Sequence, residues 1–290
     1  MGLITVNGTN ISDNLAPINC LTFSSLLAAV DPVAVLAIFQ EIGVNKGLHF
    51  LVFGESLLND GVTVVLYNTM IALEEISTDG KSIDGVQYLL AFLNFFTVFF
   101  GGLAIGVIVG LATSLILRLT KNTQELEPMI VLTMSYLSYV SAETVHWSGI
   151  ISLIGCGIAQ KRYAFLNISQ NSYTTVKYSV KTLAAFADSI IFLYLGIVPF
   201  SETMVWHTAF TLWAQLFALI YRFVGVFILT AILNMNRIDK ISLQHQFILG
   251  YGGLRGAVAF SLANVLKEDN PFKPIFLTST IFVVFFTVFL

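Results

Sequence analysis

Residues 53–61 read FGESLLNDG, two carboxylates and an amide set inside an apolar run that extends from 47 to 73. On a helix, Glu55 and Asn59 stand four apart on one stripe, and Ser56, Asp60 and Thr63 form the adjoining stripe. Asp60 therefore has oxygen-bearing neighbours one turn to each side. The rest of the chain decides what surrounds that helix. Of 290 residues, 56% are hydrophobic and 11% charged, and the mean hydropathy is +0.83. A soluble domain carries roughly 25% charged residues, so this chain reads as an all-α polytopic membrane protein.

Apolar runs of about the 20 residues that cross a bilayer recur from residue 21 onward, and about nine spans are expected. They fall near 21–42, 47–73, 87–119, 126–142, 147–160, 182–200, 205–234, 246–266 and 274–290. The net charge of −3 and the lack of a basic block give no sign of nucleic-acid binding. Cys20 and Cys156 form no disulfide framework or metal spacing. The N-terminal segment 1–20 lacks the basic and apolar regions of a signal peptide, and Val6 departs from the myristoylation pattern. The chain stops inside the apolar run IFVVFFTVFL, which reads as a fragment.

Loop charges suggest an orientation. One alternate set of loops carries Lys46, Arg118, Lys121, Lys161, Arg162, Lys177, Lys181, Arg237 and Lys240; the other is acidic or neutral, with Glu74, Glu75, Asp79 and Asp84 against one Lys81, then Glu143 and Glu202, and only the loop 267–273 is mixed, with two lysines and two acids. The positive-inside rule then expects the N-terminus outside and the C-terminus cytoplasmic. The sequons Asn7-Gly8-Thr9 and Asn10-Ile11-Ser12 lie on the expected outer side.

Two spans carry helix breakers at mid-depth. SSLLAAVDPVAVLAIF (24–39) holds Asp31-Pro32, and FILGYGGLRGAVAFSL (247–262) holds Gly252, Gly253, Arg255 and Gly256. Proline removes a backbone donor, and freed backbone groups survive at membrane depth only where protein or a wet cavity meets them. Paired discontinuous spans point to a transporter's substrate site. Gly102, Gly106 and Gly110 form a small-xxx-small ridge, expected to pack a helix closely.

Charges at mid-span are few: Asp31, Glu55, Asp60, Asp188, Arg222 and Arg255. Each costs about 2.5–3.5 kcal/mol to insert, so each calls for a partner or a task. Arginine stays charged at working pH and suits a permanent counter-charge. The expected pairs are Glu55 with Arg222, and Asp31 near Arg255 at the two breaks. Asp60, assisted by Asn59 and Ser56, is the expected Na+ site, since small hard cations favour oxygen ligands. A carboxylate in apolar surroundings also gains affinity for protons, and it holds a proton or a cation but not both. The neutral amide of Asn59 limits the cycling charge to one carboxylate, which implies electroneutral, one-for-one exchange. Asp188 is left as either paired or lining the route, and Glu143 with His146 as a loop pair or pore mouth.

The run AVDPVAVLAIFQEIGVNKGLHFLVFGESLLNDGVTVVLY (29–67), with SAETVHWSGIISLI (141–154), LIYRFVGV (219–226) and QFILGYGGLRGAVAFSL (246–262) following in order, resembles the sodium/proton exchangers of the cation/proton antiporter superfamily. The likeness is to the animal plasma-membrane type. It implies a homodimeric electroneutral Na+/H+ antiporter that regulates intracellular pH and sodium without a cofactor, and that is not an enzyme. It implies a partial inverted-repeat fold with core helices at 21–73 and 205–290, a linking helix at 87–119 and dimerisation-side helices at 126–200. By the same likeness Asn59 and Asp60 form the cation site, and Glu55 and Arg222 the core salt bridge. Asp31-Pro32 and the Gly252–Gly256 region with Arg255 become the crossing breaks, and Glu143, His146 and Gly149 become inhibitor contacts. Asp188 stands where the family is expected to carry glutamate. The nine spans resemble the fifth to thirteenth of about thirteen, so a transport-inactive subunit that pairs with longer exchangers is an alternative. A cation channel is another, although no filter-like ring is evident.

Overall fold

A computed structural model describes residues 5–6, 9–10, 17–31, 35, 39, 46–78, 85–120, 123–201, 204–237, 240–267 and 270–289. Apart from a two-residue antiparallel pairing of Thr5–Val6 with Thr9–Asn10, the regular structure among these residues is helical. The α-helices are α1 (Pro17–Leu27), α2 (Lys46–Thr78), α3 (Gly85–Leu119), α4 (Glu127–Thr144), α5 (Gly149–Tyr163), α6 (Gln170–Ser201), α7 (Thr208–Asn236), α8 (Leu243–Tyr251), α9 (Ala257–Val265) and α10 (Lys273–Phe289). Four of them, α2, α3, α6 and α7, are long and apolar enough to cross a membrane, and α1 and α10 are shorter apolar helices. The chain is an integral, polytopic membrane protein.

The chain divides into two compact units, Met1–Thr63 with Phe192–Leu290, and Val64–Ile191. In the second unit, α3 lies along α5, and the ridge of Gly102, Gly106 and Gly110 is the contact. A Cβ on Gly102 would sit 2.6 Å from the Ser148 carbonyl oxygen, and one on Gly110 2.6 Å from Ala159 Cβ. Small residues let the two backbones approach, which is how helices associate where lipid removes the hydrophobic drive. Beneath that seam, Ser138 and Ser152 bond at 2.7 Å, and Gln160 accepts from Ser135 at 3.1 Å.

Helix α6 begins at Gln170, well before the expected edge at 182. The hydropathy of QNSYTTVKYSVK hides this because most of its polar residues face outward. Val176 is buried with Leu117, Val131 and Ala164, while Lys177 and Lys181, expected in a loop, ride exposed on the helix. Buried Glu127 accepts from the Ser169 amide at 3.0 Å, and Ser169 Oγ accepts from the Ser172 amide at 3.1 Å. These bonds satisfy donors that a helix start leaves open.

In the first unit, α7 is inside out relative to a soluble helix. Thr211, Gln215, Val226 and Thr230 are buried on the stripe that also holds Arg222, while Leu212, Trp213, Phe217, Ile228 and Leu229 are exposed. Such a helix needs lipid on its outer face and polar partners within. Val35, Phe39, Leu48, Val52, Val226, Ile241 and Leu249 close the apolar part of this core. Pro32, Lys121, Glu202, most of both sequons and the acidic loop 79–84 lie outside the described residues.

The glycine seam gives a direct check. Replacing Gly106 with valine drives a side chain into the Ser152 carbonyl and should lower stability by about 1–3 kcal/mol, read as the unfolding midpoint of the purified protein in detergent. Gly157→Ala, where nothing lies within 4 Å, should leave the stability read from the midpoint unchanged or raise it by up to about 1 kcal/mol.

Candidate ion site

Helix α1 stops at Leu27, four residues before the expected break at Asp31. Pro32 has no N–H to offer the Ala28 carbonyl, and it disfavours helical geometry at Asp31. Residues 29–31, outside any helix, leave backbone groups that must be met inside the protein. Helix α2 meets both groups of Val30. The Val30 amide donates to Asn59 Oδ1 at 3.1 Å, and Ser56 Oγ donates to the Val30 carbonyl at 3.3 Å. Thr63 Oγ1 adds a 3.3 Å bond to the same Asn59 oxygen. Asn59 and Ser56 therefore clamp the break to the helix that carries Asp60.

The second break opens between α8 and α9, at residues 252–256. The two broken segments cross and exchange backbone bonds. The Asp31 amide donates to the Leu254 carbonyl at 2.8 Å, and Arg255 Nη1 donates to the Ala29 carbonyl at 3.1 Å. The Arg255 amide in turn donates to Thr287 Oγ1 of α10 at 3.1 Å. Gly256, at the start of α9, faces the Asp31 side chain so closely that a Cβ there would come 2.6 Å from Asp31 Cγ. The Asp31 carboxylate thus lies at a helix N-terminus, where open amides and the helix dipole favour negative charge. Asp31 and Arg255 thus each bond the backbone of the opposite segment at the crossing.

Glu55 and Arg222 form a bidentate pair across α2 and α7. Arg222 Nη1 bonds Glu55 Oε1, and Nη2 bonds Oε2 at 3.0 Å. The same Nη2 reaches the Leu249 carbonyl at 2.8 Å, one of the acceptors that α8 leaves open where it stops. Gly253 faces the guanidinium, and a Cβ there would lie 2.8 Å from Arg222 Cδ. Arg222 therefore fastens α2, α7 and the end of α8 together. Arg255 lies within electrostatic reach of both Arg222 and Glu55.

Asp60 sits beside this frame. Its Oδ1 is buried and has no hydrogen-bond partner among the described residues, and Asp60 and Asp31 are close enough to feel each other's charge. A half-buried carboxylate with an orphaned oxygen, next to a second acid, is a place for a cation or a proton.

Glu143, His146 and Gly149 come together in the α4–α5 turn of the second unit. Glu143 Oε1 accepts from the Gly149 amide at 3.0 Å, and His146 takes a left-handed backbone with φ 58°. That conformation is uncommon outside glycine but enriched for histidine. Asp188 is half-buried on α6, also in the second unit.

Residues 2–290 match the family model described as sodium/hydrogen exchanger, transmembrane. The chain belongs to the sodium/hydrogen exchanger family. It is 44% identical over 270 residues to a Na(+)/H(+) exchanger beta of Oncorhynchus mykiss, covering 93% of this chain and 35% of that protein. It is 41% identical over 290 residues to sodium/hydrogen exchanger 2 of Oryctolagus cuniculus, covering all of this chain and 35% of that protein. Sodium/hydrogen exchanger 3 of Homo sapiens is 46% identical over 272 residues, 92% of this chain and 32% of its own length. The chain thus spans about a third of the length of these exchangers.

Several groups in the exchanger crossing give no signal in the sequence. The carbonyls of Ala29, Leu249 and Leu254 and the amide of Val30 carry no side-chain signature. Thr287 is one hydroxyl among many in the apolar helices.

The Glu55–Arg222 pair should behave as a coupled unit. Removing one member of a buried pair costs about 3–5 kcal/mol by leaving its partner uncompensated, and Glu55, with a third of its side chain exposed, puts this pair at the low end. Glu55→Gln and Arg222→Gln should each lower the unfolding free energy, and the double variant should lose at least about 1 kcal/mol less than the sum. Strict additivity in the double-mutant cycle would contradict the pairing.

Proposed function

We propose that this chain carries the ion-exchange core of an electroneutral Na+/H+ antiporter. The observation that carries the reading is the orphaned, buried Oδ1 of Asp60 beside the crossed breaks. Asp60 is the carboxylate that Na+ and H+ occupy in turn. Asn59 and Ser56 assist by holding the Val30 backbone against it, and by lending oxygen where their existing bonds allow. Asp31 contributes negative potential from the start of α9. Two carboxylates in a medium of low dielectric favour the company of a cation or a proton.

Glu55 and Arg222 neutralise one another and stay out of the cycle, and Arg255 supplies permanent positive charge to the crossing. Asn59 stays neutral throughout, so one positive charge enters for each that leaves. Proton and cation compete for one carboxylate. A fall in pH on the Na+ side therefore raises the apparent KM for Na+ without lowering the maximal rate, and a fall on the opposite side speeds exchange.

The remaining features of the reading are a plasma-membrane homodimer, carried over from the family resemblance, and an N-terminus outside with a cytoplasmic C-terminus, argued from the loop charges. The Glu143–His146–Gly149 turn is the site that an inhibitor contacts, and Asp188 lines or borders the pathway. A second reading is a transport-inactive subunit that pairs with longer exchangers. A cation channel is disfavoured by two broken helices that cross and bond one another, an arrangement suited to alternating access.

Recovery from an acid load in exchanger-deficient cells separates these. The exchanger reading expects Na+-dependent recovery that falls to the untransfected rate in Asp60→Asn, with surface expression retained. It also expects no voltage-dependent current in reconstituted vesicles. Recovery in Asp60→Asn equal to wild type would remove Asp60 from the site. No recovery in either protein, with altered recovery when a longer exchanger is co-expressed, would establish the subunit reading. A current that reverses with voltage would establish the channel.

A further inference from the structure

The inward stripe of α7 carries one group that neither the ion pair nor the crossing uses. Gln215 is 5% exposed, and both its Oε1 and its Nε2 are buried without a hydrogen-bond partner among the described residues. One turn toward the start of α7, Thr211 Oγ1 bonds Ser279 Oγ of α10 at 2.9 Å, and both residues are fully buried. Thr278 and Thr280 of α10 return their hydroxyls to their own helix, at the Pro274 and Phe276 carbonyls. Thr211 and Ser279 instead bond across to one another. Two hydroxyls joined by one hydrogen bond keep a second hydrogen and further lone pairs.

The chemistry of the orphan narrows its partner. A buried amide left bare costs on the order of 1–3 kcal/mol. A bare cation would satisfy Oε1 but face the positive end of the NH2, and an anion would do the reverse. Water brings a hydrogen and a lone pair together. We propose that Gln215, Thr211 and Ser279 form a binding site for an ordered water inside the first unit, between α7 and α10. An amide oxygen, an amide N–H and a hydroxyl give it three partners, the usual number for a buried water.

Its position gives the site a role. Beyond Thr211, the rings of Phe23, Phe210 and Phe276 pack together, with Phe23 4.8 Å from each of the other two, and close that end of the core. In the other direction Arg222 follows Gln215 by seven residues, about two turns. The water thus lies between an aromatic cluster and the ion pair along the inward stripe of α7. It keeps that seam polar where an apolar residue would seal it. The inference stands on this geometry and does not depend on the exchanger reading.

The test uses the purified full chain in lipid nanodiscs, at a resolution that shows ordered solvent. The expected result is a density peak within about 2.7–3.2 Å of the Gln215 amide and of a hydroxyl of Thr211 or Ser279. A protein atom filling both amide positions, or a well-resolved Gln215 with no peak beside it, overturns the proposal. A second arm needs no such map. Gln215→Leu should lower the unfolding midpoint, and adding Ser279→Ala should lower it by less than that change does alone, because the two residues share one water. A midpoint raised by Gln215→Leu means that the amide was bare, and also overturns it. Neither arm reads transport, so loss of the exchanger reading leaves both outcomes interpretable.

Discussion

The Glu55–Arg222 ion pair is the constraint on which the first unit depends. A guanidinium at membrane depth is tolerated only where a carboxylate and acceptors surround it. Arg222 finds the carboxylate on α2 and an acceptor at the open end of α8. Because that carbonyl is open only where α8 stops, the ion pair and the break require one another. An unbroken helix through residues 243–265 would take the Leu249 carbonyl back into its own ladder.

The second break follows the same rule. Val30 is held on both its amide and its carbonyl by α2, and the Asp31 amide is held by Leu254. Each bond replaces one that a continuous helix would have made for itself. The result is a region with irregular backbone, three acids and two arginines, in which Asp60 alone among the described carboxylates has a buried oxygen left orphaned. On the proposed reading, rigidity around one unsatisfied carboxylate oxygen would let an ion exchange there without loss of the surrounding structure.

Much of this was legible in the sequence because mid-span charge is rare and expensive. Asp31, Glu55, Arg222 and Arg255 are singled out by cost alone, and Pro32 and Gly252–Gly256 mark where the helices cannot continue. The glycines at 102, 106 and 110 announce a close helix seam by spacing. The remainder was illegible for physical reasons. Backbone carbonyls such as Leu249 carry no letter. Helix α1 ends at Leu27 because Pro32 acts four residues upstream of itself. The start of α6 is hidden because a helix leaving the apolar layer turns Lys177 and Lys181 outward and keeps only Ser172 and Val176 inside. Gln215 is neutral, so a search for mid-span charge passes over it, although leaving its buried amide bare costs on the order of 1–3 kcal/mol.

The central claim is that one carboxylate, Asp60, holds Na+ and H+ in turn. Proton release on Na+ binding tests it most directly, measured by calorimetry of the purified protein in buffers of differing ionisation enthalpy. The account predicts a proton release that approaches one per Na+ bound at the pH where Asp60 is still protonated, and that vanishes together with Na+ binding in Asp60→Asn. Na+ binding with no proton release at any pH, or an unchanged release in Asp60→Asn, would contradict it.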